Sequence, residues 1–204
     1  MIAEQELSRR SRSVDEFGGW PLVGWAAAIL TIFFAVIALA VGVTEPGVRA
    51  LVRTSAQTSF VLFLAAFVAS ALQRTWPTPV SCWLLKNRRY LGVSFAVSHT
   101  MHLAFIIALT RVAADFTTGP AALIGGGMAY VFIAAMTATS FDRTTQWLGA
   151  RTWRRLHTVG MYWIWAIFFV SYLPRALTTP AYIPFAALLI AAIGLRAYAK
   201  LRRG

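Results

Sequence analysis

Residues 20–43 read WPLVGWAAAILTIFFAVIALAVGV, a run without one charged side chain. At a helical rise of about 1.5 Å per residue such a run crosses the roughly 30 Å hydrocarbon layer of a bilayer. A soluble domain would have to bury it on every side, and the rest of the chain lacks the polar surface for that. The 204 residues are 58% hydrophobic and only 13% charged, with a mean hydropathy of +0.64. The chain therefore reads as an all-α integral membrane protein.

Outward from this run, five further apolar segments occupy residues 55–72, 91–110, 121–139, 156–173 and 183–198. Together they predict a six-transmembrane-helix bundle, with the shorter segments borrowing a turn from their flanks. Turn-forming residues separate them: Glu45, Pro46 and Gly47; Trp76, Pro77, Thr78 and Pro79; Gly119 and Pro120; then Pro174 and Pro180. The expected organisation is a cytoplasmic N-terminal segment at 1–19, a transmembrane domain at 20–199 and a cytoplasmic basic tail at 200–204. The first span follows the polar residues 1–16 and is long enough to cross, so it reads as a retained helix and not as a cleaved signal.

The charge is lopsided, with 19 Lys and Arg against 7 Asp and Glu, a formal net charge of +12. These cations lie between apolar runs, which points to membrane lipid and not to nucleic acid as the partner. Arg9, Arg10 and Arg12 precede the first span. Arg74, Lys86, Arg88 and Arg89 follow the second, Arg143, Arg151, Arg154 and Arg155 follow the fourth, and Arg196, Lys200, Arg202 and Arg203 close the chain. The other side holds only Arg49, Arg53, Arg111 and Arg175. The positive-inside rule then predicts both termini in the cytoplasm, and an even number of spans satisfies it.

One cysteine, Cys82, rules out an intrachain disulfide and a thiolate metal cluster. The tryptophans, among them Trp153, Trp163 and Trp165, read as interface anchors. Gly125, Gly126 and Gly127, with Ala134, Ala135 and Ala138, suggest close helix contact in the fourth span. Asp115 and Asp142 fall in short loops and read as solvated.

The chain has three histidines, His99, His102 and His157, and all three fall in predicted spans. Ionisable residues inside a membrane are costly and mark functional sites. His99 and His102 are three apart, about 60° between directions on a helix and about 4.5 Å along its axis, so both can face one groove. Neutral imidazoles on facing helices suit axial ligation of haem iron. Zinc fits less well, because no Asp, Glu or Cys lies near enough to complete its shell. His102 lies thirteen residues beyond Arg89, about 20 Å along the helix, whereas His157 is two beyond Arg155. His99 shortens that mismatch by a turn, so a His99–His157 pair is the easier one for a first haem and His102 is left for a second. Histidines bonded between helices with no cofactor are the competing account.

The segment Arg88-Arg89-Tyr90-Leu91-Gly92, with Phe95 and His102-Leu103, resembles the third helix of the ferric reductase-like transmembrane domain family, most of all its MsrQ branch of haem-binding membrane subunits. Thr137, Thr139-Ser140, Leu148-Gly149, Trp153 and Leu156-His157 resemble that family's fourth connection and fifth helix, and Arg53-Thr54-Ser55-Ala56 extends the likeness over about residues 50 to 200. The resemblance implies a six-helix bundle carrying haem b, one or two, in the bacterial inner membrane. It further implies electron transfer to a periplasmic reductase, from a quinone, a bound flavin or a separate flavoprotein. Carried over by position, His102 is the third-helix ligand and His157 the histidine opening the fifth helix. A further family histidine is replaced by Val170, which removes the counterpart of His102 and makes a haem-free scaffold or accessory subunit the alternative. No dinucleotide fingerprint and no stretch for a flavin or nicotinamide domain occurs. Arg154 and Arg155 face either haem propionates or lipid phosphates.

Overall fold

A computed structural model describes residues 18–202, so Arg9, Arg10, Arg12 and Arg203 lie outside the described residues. The elements run α1 (Trp20–Val41), α2 (Glu45–Thr75), α3 (Pro79–Lys86), α4 (Arg88–Val112), α5 (Pro120–Ala138), α6 (Asp142–Leu148), α7 (Ala150–Thr178), a 3-10 turn (Pro180–Tyr182) and α8 (Ile183–Leu201). Six of these, α1, α2, α4, α5, α7 and α8 with its preceding turn, are long and apolar enough to cross a membrane. No strand occurs among the described residues. The protein is an all-α, multi-pass membrane bundle.

Helices overrun the apolar segments that signal them. The second span begins at Glu45, ten residues before its apolar stretch, and the fifth at Ala150, six before. Hydropathy marks where lipid begins, whereas a helix continues through the headgroup layers, where Arg49, Arg53, Arg151 and Arg154 are solvated without breaking it. Pro174 likewise lies inside α7 instead of ending it. Proline costs the one backbone bond it cannot donate, and its fixed φ is compatible with continuing the helix.

The turn from α1 to α2 is tight for a definable reason. Gly42 takes a left-handed φ of 71°, and a side chain on Gly47 would run into the carbonyls of Val41 and Gly42. Thr44 caps α2 by accepting from the Gly47 N–H at 3.4 Å. At the other end of the bundle, Thr78 and Ser81 form a reciprocal capping box that starts α3.

α2 is the central helix. Its Phe60, Phe63 and Phe67 form one stripe that packs on Phe95 of α4, Phe168 and Tyr172 of α7 and Leu189 of α8. Lipid tails are as apolar as these rings, so contact is favoured by close packing and by hydrogen bonds across helices, not by escape from water. Serines bring α2 and α4 together: Ser55, Ser59, Ser94 and Ser98 are fully buried, and Ser59 Oγ lies 2.9 Å from Ser98 Oγ. α1 is peripheral, burying Leu30 and Phe34 against Leu51, Met101 and Phe105, with Ile37 and Ala38 beside them.

Between α5 and α7 the glycine run supplies one close contact, at Gly125, where an added Cβ would lie 3.1 Å from Ile167 Cδ1 and whose carbonyl accepts from Trp163 Nε1 at 3.1 Å. Gly126 and Gly127 have no neighbour that a side chain would meet, and Ala134 and Ala138 are exposed. The buried face of α5 is Ala129, Ile133 and Met136. The tighter approach is at Gly160 of α7, where an added Cβ would lie 2.8 Å from Met136 Sδ.

Candidate functional site

Two separate histidine environments emerge, at different depths. His157 lies two turns into α7 and borders a cavity of about 500 Å³ framed by α2, α4, α5, α7 and α8. Its ring stacks on Trp153, one turn earlier, with centroids 4.2 Å apart. Its Nε2 is 3.2 Å from Thr139 Oγ1 at the end of α5. Trp153 is anchored in turn, its Nε1 donating to the Thr139 carbonyl at 2.9 Å, so it has a role beyond that of an interface anchor. Apolar side chains, Phe95, Ala96, Ile133, Met136 and Met161, form the inner wall, and five arginines, Arg74, Arg88, Arg89, Arg154 and Arg196, line the mouth.

His99 and His102 sit together, with ring centroids 5.0 Å apart, but away from that cavity. His102 Nδ1 is 2.9 Å from Ser55 Oγ. His99 packs on Tyr130 with centroids 5.0 Å apart and on Phe168 at 6.0 Å. The Tyr130 hydroxyl donates to the His99 carbonyl at 3.2 Å. His99 Nδ1 is buried with no hydrogen-bond partner.

Contact with Phe168 fixes the level of His99 on α7. Phe168 is eleven residues past His157, about 16 Å along the helix. The expected His99–His157 pair is therefore not assembled: the one turn gained on α4 does not close the difference in depth. His157 is instead level with the first turns of α4, beside Arg88 and Gly92. Val170, the position of the absent family histidine, is 62% exposed, while Phe168 and Tyr172 on either side face inward at 5% and 4%. A histidine there would point to lipid in this helix.

The chain matches no protein-family model, no curated protein and no solved structure. The likeness to the ferric reductase-like family rests on the residues quoted above, and the site is read from its own chemistry.

Sequence reasoning missed several participants. Arg196 was counted with the basic tail, although it falls within the last apolar segment, where a cation is itself a signal. It is held by Nη1 donation to the Phe67 carbonyl at 2.6 Å and by stacking on the Phe67 ring at 4.4 Å. Thr139 and Ser55, the histidine partners, stood within the quoted motifs but nothing in their spacing marked them. Asp142 is solvated as expected, but it opens α6 instead of lying in a loop and binds Arg89 Nη1 at 2.6 Å. Of the arginine pair on α7, Arg154 lines the cavity and Arg155 does not. Among the described residues no group of three or more His, Cys, Asp or Glu comes together as a metal shell.

Proposed function

We propose that this protein is a haem b-binding, membrane-spanning electron-transfer protein whose porphyrin sits against His157. The observation that carries the reading is a histidine bordering a cavity that is apolar inside and cationic at the mouth. Its volume, about 500 Å³, is in the range of small-molecule sites. The donor set fits such a group: one imidazole, the thioethers of Met136 and Met161, an apolar wall, and guanidinium groups opposite in charge to porphyrin carboxylates. Bound haem would supply one-electron chemistry at its iron.

The chain's own residues do the rest. Trp153 restricts the His157 ring by stacking, and Thr139 fixes one ring nitrogen. Ile133, Met136 and Phe95 keep water from the inner wall, and Arg88 and Arg196 hold negative charge at the mouth. The reading carries with it a bacterial inner-membrane location with both termini inside, a quinone or flavoprotein donor and a periplasmic reductase as acceptor. One haem suits the cavity that His157 borders.

A reduced-minus-oxidised absorption spectrum of the detergent-purified protein, expressed with adequate haem supply, tests the proposal. We expect b-type bands, and their absence sinks it. His157→Ala should lose most of the haem, whereas His99→Ala and His102→Ala, outside the cavity, should keep most of it. Full retention in His157→Ala would remove His157 as the ligand.

A second reading, a haem-free scaffold or accessory subunit, is favoured by one observation: His157 and His102 already have protein partners in Thr139 and Ser55. It predicts normal folding and no stoichiometric haem when all three histidines are replaced and, equally, when none is.

A further inference from the structure

The mouth of the His157 cavity gathers five guanidinium groups from four helices: Arg74 of α2, Arg88 and Arg89 of α4, Arg154 of α7 and Arg196 of α8. Two have partners. Arg89 binds Asp142, and Arg196 binds the Phe67 carbonyl and, through Nε, the Tyr162 hydroxyl at 3.3 Å. Even so, Arg89 Nε is buried without a hydrogen bond. Arg74, Arg88 and Arg154 make no hydrogen bond or ion pair among the described residues, and Arg88 is only half-exposed.

Like charges on long side chains splay apart into water unless something holds them. Among the described residues Asp142 is the one carboxylate engaged with the five cations, and it lies outward, with its side chain 82% exposed. Five guanidinium groups thus share a single carboxylate among the described residues.

We infer that this mouth is a binding site for a phosphate group, supplied by the headgroup of an anionic phospholipid. Guanidinium forks match phosphate oxygens two at a time, which a lysine cannot do. Depth selects the lipid source: Arg88 opens α4 and Arg74 sits in the last turn of α2, the level at which these helices leave the hydrocarbon layer. The site does not rest on a haem at His157. Porphyrin carboxylates would compete for the same cations and are one outcome of the test.

The experiment uses the full chain, delipidated in a neutral maltoside detergent. Its thermal unfolding midpoint is titrated with phosphatidylglycerol, with phosphatidylcholine and with inorganic phosphate against chloride. Phosphatidylglycerol should raise the midpoint at the lowest concentration. Arg88→Gln should shift that titration about tenfold weaker, the worth of one charge-assisted bond. Arg88→Lys should fall between, and it carries the test if the glutamine variant does not fold. Arg155→Gln, on the same helix as Arg154 but off the cavity, should leave the titration unchanged. A stronger response to inorganic phosphate than to the lipid supports the site and assigns it a soluble source. Three results overturn it: no preference for phosphatidylglycerol or phosphate, an equal loss in Arg155→Gln, or haem loss in Arg88→Gln with the phosphate and lipid responses intact.

Discussion

Asn87 is 2% exposed and ties together three parts of the chain at the basic end of the bundle. Its Oδ1 accepts from the Gly19 N–H at 2.9 Å and its Nδ2 donates to the Trp83 carbonyl at 3.1 Å, joining the start of α1 to the α3–α4 corner. Asn87→Leu strands the Gly19 N–H and should cost about 1–3 kcal/mol, read as a fall in the detergent unfolding midpoint. Asn87→Asp keeps the acceptor and should lose less; equal losses would refute the role given to Oδ1. His99 is the converse case. Its Nδ1 is buried among Phe95, Tyr130 and Phe168 with no partner, so His99→Phe should hold or raise the midpoint while leaving the haem content proposed for His157 unchanged. A clear drop in either would mean that this nitrogen binds something.

At the scale of elements, the position of α5 against α7 decides whether the cavity exists. Gly160 brings the helices together, with Met136 Sδ and Phe132 Cδ1 at 2.8 and 3.3 Å from where a Cβ would stand. Thr139 meets His157 one turn along. Gly160→Leu should therefore push α5 away, destabilise by about 1–3 kcal/mol and weaken the Thr139–His157 contact. Gly160→Ala should be mild, because the thioether of Met136 can move aside. A leucine variant as stable as the parent would show that the contact is loose. The Arg89–Asp142 bridge between α4 and α6 should contribute little by itself, since Asp142 is largely exposed.

For the whole molecule, alternation of the six spans puts α3, α6 and the C-terminal end of α8 at one end of the bundle, with Arg74, Arg88, Arg143, Arg151, Arg154 and Lys200. The opposite end has Arg49, Arg53, Arg111 and Arg175. We expect the basic end in the cytoplasm. Single cysteines near Thr117 and near Arg151 in a Cys82→Ala background check this with an impermeant thiol reagent on intact cells. Labelling near Thr117 alone is expected; labelling near Arg151 alone would invert the protein. The cavity mouth and His157 share this basic end, so the same result fixes the side from which anion and electron donor would approach.

The sequence by itself determined the six crossings, because an uncharged run such as residues 20–43 has one low-energy solvent, and the solvent dictates a helix. It also marked His99, His102 and His157 as candidates, since an imidazole in such a run is expensive. It did not determine which histidines meet. Counting residues from Arg89 and Arg155 gave a difference in depth but not the contacts, because the register between α4 and α7 is set by Phe168 packing on His99. Nor could spacing predict that Arg196 would fold back onto the Phe67 carbonyl, or that arginines scattered from residue 74 to residue 196 would share one mouth. Local sequence controls which segments become helices. Their relative depth and rotation come from side-chain contacts between residues far apart in the chain, so the depth of His157 and the arginine mouth were decided only in the tertiary structure.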